Sequence, residues 1–350
     1  MIKREVSLVL AASVLFAMLI VCVALISSAF RDLSAESAAP PEAGTVAVYL
    51  NNQEYARESD TLARLVNDQG ATAALERLKK DMSDPKVAAS CHSLAHGIGH
   101  AAFEKYKDFG TAMQYQDDVC GAGYLHGVIE RVFKSSTDID RDMDTICKPY
   151  TSEVFLQKCY HGVGHGLMYY TDNDVTKSIS MCGEYKSNEF KIACSEGVFM
   201  ENFGTDENDH ESAFLNADNP SFPCTQQNTF YKGSCYFYAP IYYLRLHENN
   251  YRSALNWCAT IETPFKLRCM TGVGSRIMKQ YLDNARVPEN MCVRQDRAET
   301  AACIDGMMSY YLLQNNSVDA ALRICDDFSG PSHDDCVSSV ESRRALYEDQ

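Results

Sequence analysis

Apolar residues recur at helical spacing along this chain. Between Glu54 and Met82, Leu62, Leu65 and Val66, then Ala74, Leu75 and Leu78, fall on one face of each of two predicted helices. Asp68-Gln69-Gly70 breaks the pattern and predicts the turn between them. The same order of helix, polar turn and second helix then returns, the second helix closing on cysteine in Ser253–Cys258 and Val318–Cys325. Turn chemistry repeats with it. Glu248-Asn249-Asn250 and Gln314-Asn315-Asn316 hold equivalent places, and Thr263-Pro264 and Gly330-Pro331 announce the next first helix.

The N-terminus follows another pattern. Lys3 and Arg4 precede an apolar run from about Val6 to Phe30, long enough to span a bilayer. Residues 1–30 are therefore expected to be a signal anchor in the cell membrane, with the body outside the cytoplasm. Ser27-Ser28-Ala29 offers a cleavage site, so secretion is the alternative. Residues 31–53, rich in Ala, Ser and Glu around Pro40-Pro41, read as a linker. Residues 54–90 read as a capping helical hairpin, 91–203 as His-rich repeats, 204–223 as an acidic insertion loop and 224–350 as C-terminal repeats.

The chain has 15 cysteines, and setting Cys22 aside leaves 14. From Cys147 onward they fall in pairs 11 or 12 apart, and the second members advance by 35, 41, 34, 34 and 33 residues. A period near 34 is that of a helical hairpin repeat. Each pair joins the end of one hairpin to the start of the next. The predicted bridges are Cys147–Cys159, Cys182–Cys194, Cys224–Cys235, Cys258–Cys269, Cys292–Cys303 and Cys325–Cys336, with Cys91–Cys120 left over. Thiolate metal ligation is the alternative, but its usual CxxC spacing is absent. Such a disulfide load points to an oxidising compartment.

This layout, over roughly residues 54–345, resembles the Sel1-like and tetratricopeptide repeats in their cysteine-stapled secreted versions. The resemblance rests on period and cysteine rhythm. It implies an all-α fold, a right-handed α-solenoid of helical hairpin repeats stapled by disulfides, with a concave ligand-facing surface. With the N-terminal transmembrane helix, that completes the expected architecture. No catalytic residue is carried across.

Candidate chemistry lies in the histidines. His92, His96 and His100 are four residues apart and share one helix face, as do His161 with His165 and His126 with Glu130. Such pairs can grip one metal ion. Aligning repeats on the glycine sets His96, His126, His161 and Glu196 in one column, with His100, Glu130, His165 and Met200 one turn on. Neighbouring helices about 10 Å apart would let two repeats share an ion. One or two ions of zinc, copper or iron are expected, on His92, His96, His100, His126, Glu130, His161 and His165. Glu130, Glu196 and Glu201 are the candidate catalytic bases. Glycines 97, 127, 162, 164 and 166 beside them suit close backbone approach or ligand space.

Other classes fall away. A net charge of -15 disfavours nucleic acid and anionic membrane surfaces. The chain has no GxSxG, HExxH, phosphate loop or CxxCH. Asp206–Glu211 lacks EF-hand spacing and reads as a solvated acidic loop. Two functions remain: a metal centre that supports an enzyme of unknown reaction, or a non-catalytic scaffold that docks a peptide, glycan or membrane-protein partner on its concave face.

Overall fold

The computed structural model describes residues 49–117, 119–204, 212–281 and 289–348. The expected anchor, nearly all of the linker, Cys22 and the acidic stretch Asp206–Glu211 lie outside these residues. Among the described residues every regular element is helical, and no helix is long and apolar enough to cross a membrane.

The expected N-terminal hairpin is α1 (Asn52–Gln69) and α2 (Ala71–Asp81). Asn51 and Glu54 form a reciprocal capping box that starts α1, and Gly70, at φ 101°, makes the turn. The next helices are α3 (Pro85–Tyr106), α4 (Phe109–Met113), α5 (Val119–Lys134), α6 (Ile139–Thr145), α7 (Glu153–Tyr170), α8 (Val175–Cys182) and α9 (Asn188–Gly204). A 3-10 turn at Cys224–Gln226 leads to α10 (Thr229–Tyr238), α11 (Pro240–Leu246), α12 (Tyr251–Cys258) and α13 (Phe265–Tyr281). A second such turn, Glu289–Met291, precedes α14 (Arg297–Asn315), α15 (Val318–Cys325), α16 (Pro331–Glu341) and α17 (Arg344–Glu348).

Each long helix packs on the next, in the order α3, α5, α7, α9, α10, α13, α14, α16. Short helices α4, α8 and α15 each touch two consecutive long ones. The six cysteine pairs expected from spacing and the remaining pair Cys91–Cys120 are all bridged, with Cα atoms 5.4 to 5.8 Å apart. The units are less uniform than their rhythm implies. Cys224 lies in a 3-10 turn and Cys292 just after one, where other units have a helix. The start of α5 is left-handed at Cys120, Gly121 and Ala122.

Glycines set how closely the long helices meet. A Cβ on Gly197 would stand 1.9 Å from the carbonyl oxygen of His161, and one on Gly164 2.0 Å from that of Cys194. No side chain fits there, so α7 and α9 touch backbone to backbone. Gly127 meets His96 in the same way across α3 and α5, and Gly306 meets Thr271 across α13 and α14. Gly162 and Gly166 instead receive the side chains of His126, Ile129 and Phe133. The glycine column thus serves helix contact.

Helix α5 is a shared wall. Tyr124 and Val128 join the apolar core of the N-terminal helices, while Leu125, Ile129 and Phe133 join the larger core that runs on to Val340. His126 and Glu130 take a third face of the helix. The row also bends back on itself, because α14 touches α5, and Gln314 lies against Gly121.

Candidate metal centre

Four helices supply the site: α3 with His92, His96 and His100, α5 with His126 and Glu130, α7 with His161 and His165, and α9 with Met200 and Glu201. Asp84 caps α3 by accepting from the Lys86 backbone N–H, and Pro85 opens its first turn. The glycine contacts then bring α3 and α9 hard against their neighbours, which draws four repeats into one cluster.

His126 stands at its centre. Its ring lies 5.4 and 5.5 Å from His92 and His96 on one side, and 5.2 and 5.0 Å from His161 and His165 on the other. It is 3% exposed, and neither ring nitrogen has a hydrogen-bond partner. A buried polar ring in that state costs roughly 1–3 kcal/mol unless something binds it. The surrounding imidazoles also converge. Nε2 of His92 and of His96 are 3.0 Å apart, and Nε2 of His161 and of His165 3.2 Å. The Met200 sulfur is 3.3 Å from His161 Nε2.

Two contacts aim these rings. His92 Nδ1 lies 2.6 Å from the Cys120 carbonyl, which can only accept, so Nδ1 carries the proton and Nε2 keeps a lone pair. His165 Nδ1 lies 2.6 Å from the Glu201 carboxylate, which fixes the same tautomer. A carboxylate or carbonyl behind an imidazole is the usual orienting partner of a ligating histidine. Glu130, fully buried, lies 2.7 Å from His96 Nδ1 and 2.5 Å from His100 Nε2.

Burial, reinforced by neighbouring imidazoles, holds His92, His126 and His161 well below the ordinary histidine range. They are therefore neutral, with lone pairs free to ligate, at physiological pH. Burial alone would raise the Glu130 carboxyl. The His96 charge and the hydrogen bond from His100 outweigh it, so Glu130 is held low and stays ionised.

Two trios bring one nitrogen or oxygen each within 4.8 Å of one another: His92 with His126 and His165, and His96 with Glu130 and His165. His161 adjoins the first trio. His100 reaches Glu130 instead of the imidazole cluster and packs on Tyr169 at 5.8 Å. Glu201 stands behind His165, whereas Glu196 turns to Arg268 at 3.4 Å. The spacing argument for two repeats per ion underestimated the packing, because glycine lets α3, α5 and α7 crowd closer than side-chain-lined helices do. Sequence reasoning placed Met200 in the right column and assigned it nothing. The Cys120 carbonyl left no trace in the sequence.

The described residues thus form a disulfide-bridged, all-helical protein with buried His/Glu groups able to hold a metal ion. Compared with known proteins, the chain matches no family model, no curated protein and no solved structure.

Proposed function

We propose that this chain is a membrane-anchored, extracytoplasmic helical-repeat protein of the solenoid type, and that its His/Glu centre binds a transition metal ion. Zinc, copper and iron are the candidates. The observation that carries the metal reading is His126: buried, central, and without a partner for either ring nitrogen. His92, His126 and His165 form the preferred trio, since Cys120 and Glu201 already orient two of its rings. The second trio would need His165 to give up Glu201, so Glu130, His96 and His100 are better placed as a buried anionic support. An ion on three protein ligands keeps an open position and acts as a Lewis acid toward water or a carbonyl group. Glu130, one turn from His126 and 3.7 Å from His165 Nδ1, is the candidate base on the His126 helix.

The anchor and the outward placement rest on Lys3, Arg4, the apolar run to Phe30 and the seven disulfides. A scaffold without metal would leave the state of His126 unexplained.

Elemental analysis of the purified full chain should find about one equivalent of zinc, copper or iron, as three preorganised imidazoles imply. Changing His126 and His165 to alanine should remove most of it while the far-UV helical signal stays near that of the parent. A parent that never holds metal after incubation with each ion, together with a variant that unfolds, would make the histidines structural and restore the scaffold reading.

A further inference from the structure

Helix α13 carries two cations, Arg276 and Lys279, one turn apart and both half-buried. Neither makes an ion pair among the described residues. Their surroundings are aromatic: the Arg276 guanidinium lies 5.8 Å from the Tyr310 ring centre, and the Lys279 ammonium 5.3 Å from that of Tyr49. Other cations on this helix are neutralised, Lys266 by Asp296 and Glu299 and Arg268 by Glu196. In a chain with 47 acidic residues against 32 basic ones, two neighbouring cations with no carboxylate partner among the described residues are conspicuous. Like charges three residues apart on a helix repel, and partial burial strengthens that repulsion.

The pair lies within electrostatic reach of the imidazole cluster. The return of α14 onto α5 brings this end of the row beside the His126 helix, and the Tyr238 ring is 6.0 Å from that of His161. Lys279 lies near enough to depress His92, and Arg276 near enough to depress His161, although burial is the larger cause in both.

We infer that Arg276 and Lys279 are the anion-binding half of the site, and that its ligand is a small molecule with a carboxylate or phosphate group. The oxyanion lies between the guanidinium and the ammonium, where Arg supplies a two-pronged donor and Lys a point charge. The rest of the ligand then faces the imidazole cluster. This inference deepens the metal-centre reading and rests on it for the ligand's second contact, while the anion contact itself does not need the ion.

Calorimetry on the full chain, metal-free and metal-loaded, with acetate and with inorganic phosphate as probes, tests it. At least one probe should bind with Kd at or below about 1 mM, and the stronger one identifies the oxyanion. The double variant Arg276→Gln/Lys279→Gln should weaken that binding at least about tenfold with metal content unchanged. Arg268→Gln, whose charge is already paired, should bind as the parent does. Lys279→Gln alone repeats the test if the double variant does not fold. No binding of either probe up to about 10 mM, or equal binding in parent and variant, overturns the inference. Anion binding by a chain that takes up no metal would sink the metal reading and leave the anion site standing.

Discussion

At the scale of the residue, burial keeps His92, His126 and His161 neutral, and that has a consequence for acid stability. His92, His126 and His161 have folded-state pKa values below the ordinary 6.5, because burial and then neighbouring imidazoles disfavour the charged form. The unfolded chain therefore binds more protons than the folded one once pH drops below about 6.5, and stability must fall with it. Each of the three contributes a slope of up to about 1.4 kcal/mol per pH unit, which persists down to its folded pKa and vanishes above neutrality. Urea titrations of the metal-free chain should show the midpoint steady from pH 8 to 7 and dropping steeply from about 6.5 to 5. Bound metal should be released over the same interval, since protonated imidazole has no lone pair. A midpoint that does not move between pH 7 and 5 would mean that these rings are charged or solvated in the folded protein.

At the scale of the element, local signals were legible because they act over a few residues. The apolar spacing of Leu62, Val66, Leu75 and Leu78 marked α1 and α2, Gly70 marked their turn, and Thr263-Pro264 and Gly330-Pro331 marked the starts of α13 and α16. The cysteine pairs were legible for the same reason. What the pattern did not show is how near the helices stand, since glycine permits close approach without specifying a partner. Nor did it show the 3-10 turns by Cys224 and Cys292, where the cysteine rhythm continues although the helix does not. The site followed that divide: the i, i+4 histidine pairs could be listed from the sequence, while their convergence on His126 depends on backbone contacts such as Gly197 on His161. Gly197→Ala tests that dependence. Its Cβ, 1.9 Å from the His161 carbonyl, must push α7 and α9 apart, at a cost of about 3 kcal/mol and with loss of His161 and His165 alignment. Gly204→Ala, with nothing within 4 Å of the new atom, should be neutral or slightly stabilising. Chemical denaturation and metal content of both variants give the comparison. Equal behaviour of the two would show that the glycine column is not what closes the site.

At the scale of the whole molecule, the disulfides bear on the expected placement of the body outside the cytoplasm. Six bridges close loops of sequence separation 11 or 12, and Cys91–Cys120 closes one of 29. In the chain-entropy model each short loop contributes about 3 kcal/mol, so six together exceed the 5–15 kcal/mol net stability of an ordinary domain. Even if the contributions fall well short of additive, the fully reduced chain should lose its cooperative thermal transition while the oxidised chain keeps it. The proposed placement then expects the protein to mature where thiols are oxidised, which is where the positive Lys3/Arg4 flank would deliver the body. In intact cells making the full chain, the cysteines from 91 to 336 should resist alkylation until a reductant is added. Protease applied to spheroplasts should digest the body, and a chain begun after residue 30 and retained in the cytoplasm should carry free thiols and fold poorly. If the body is protected from external protease while its thiols are free, the chain faces the cytoplasm and the outward placement is wrong. If the reduced chain melts as sharply and at the same temperature as the oxidised one, the glycine-locked helices hold the fold without their staples.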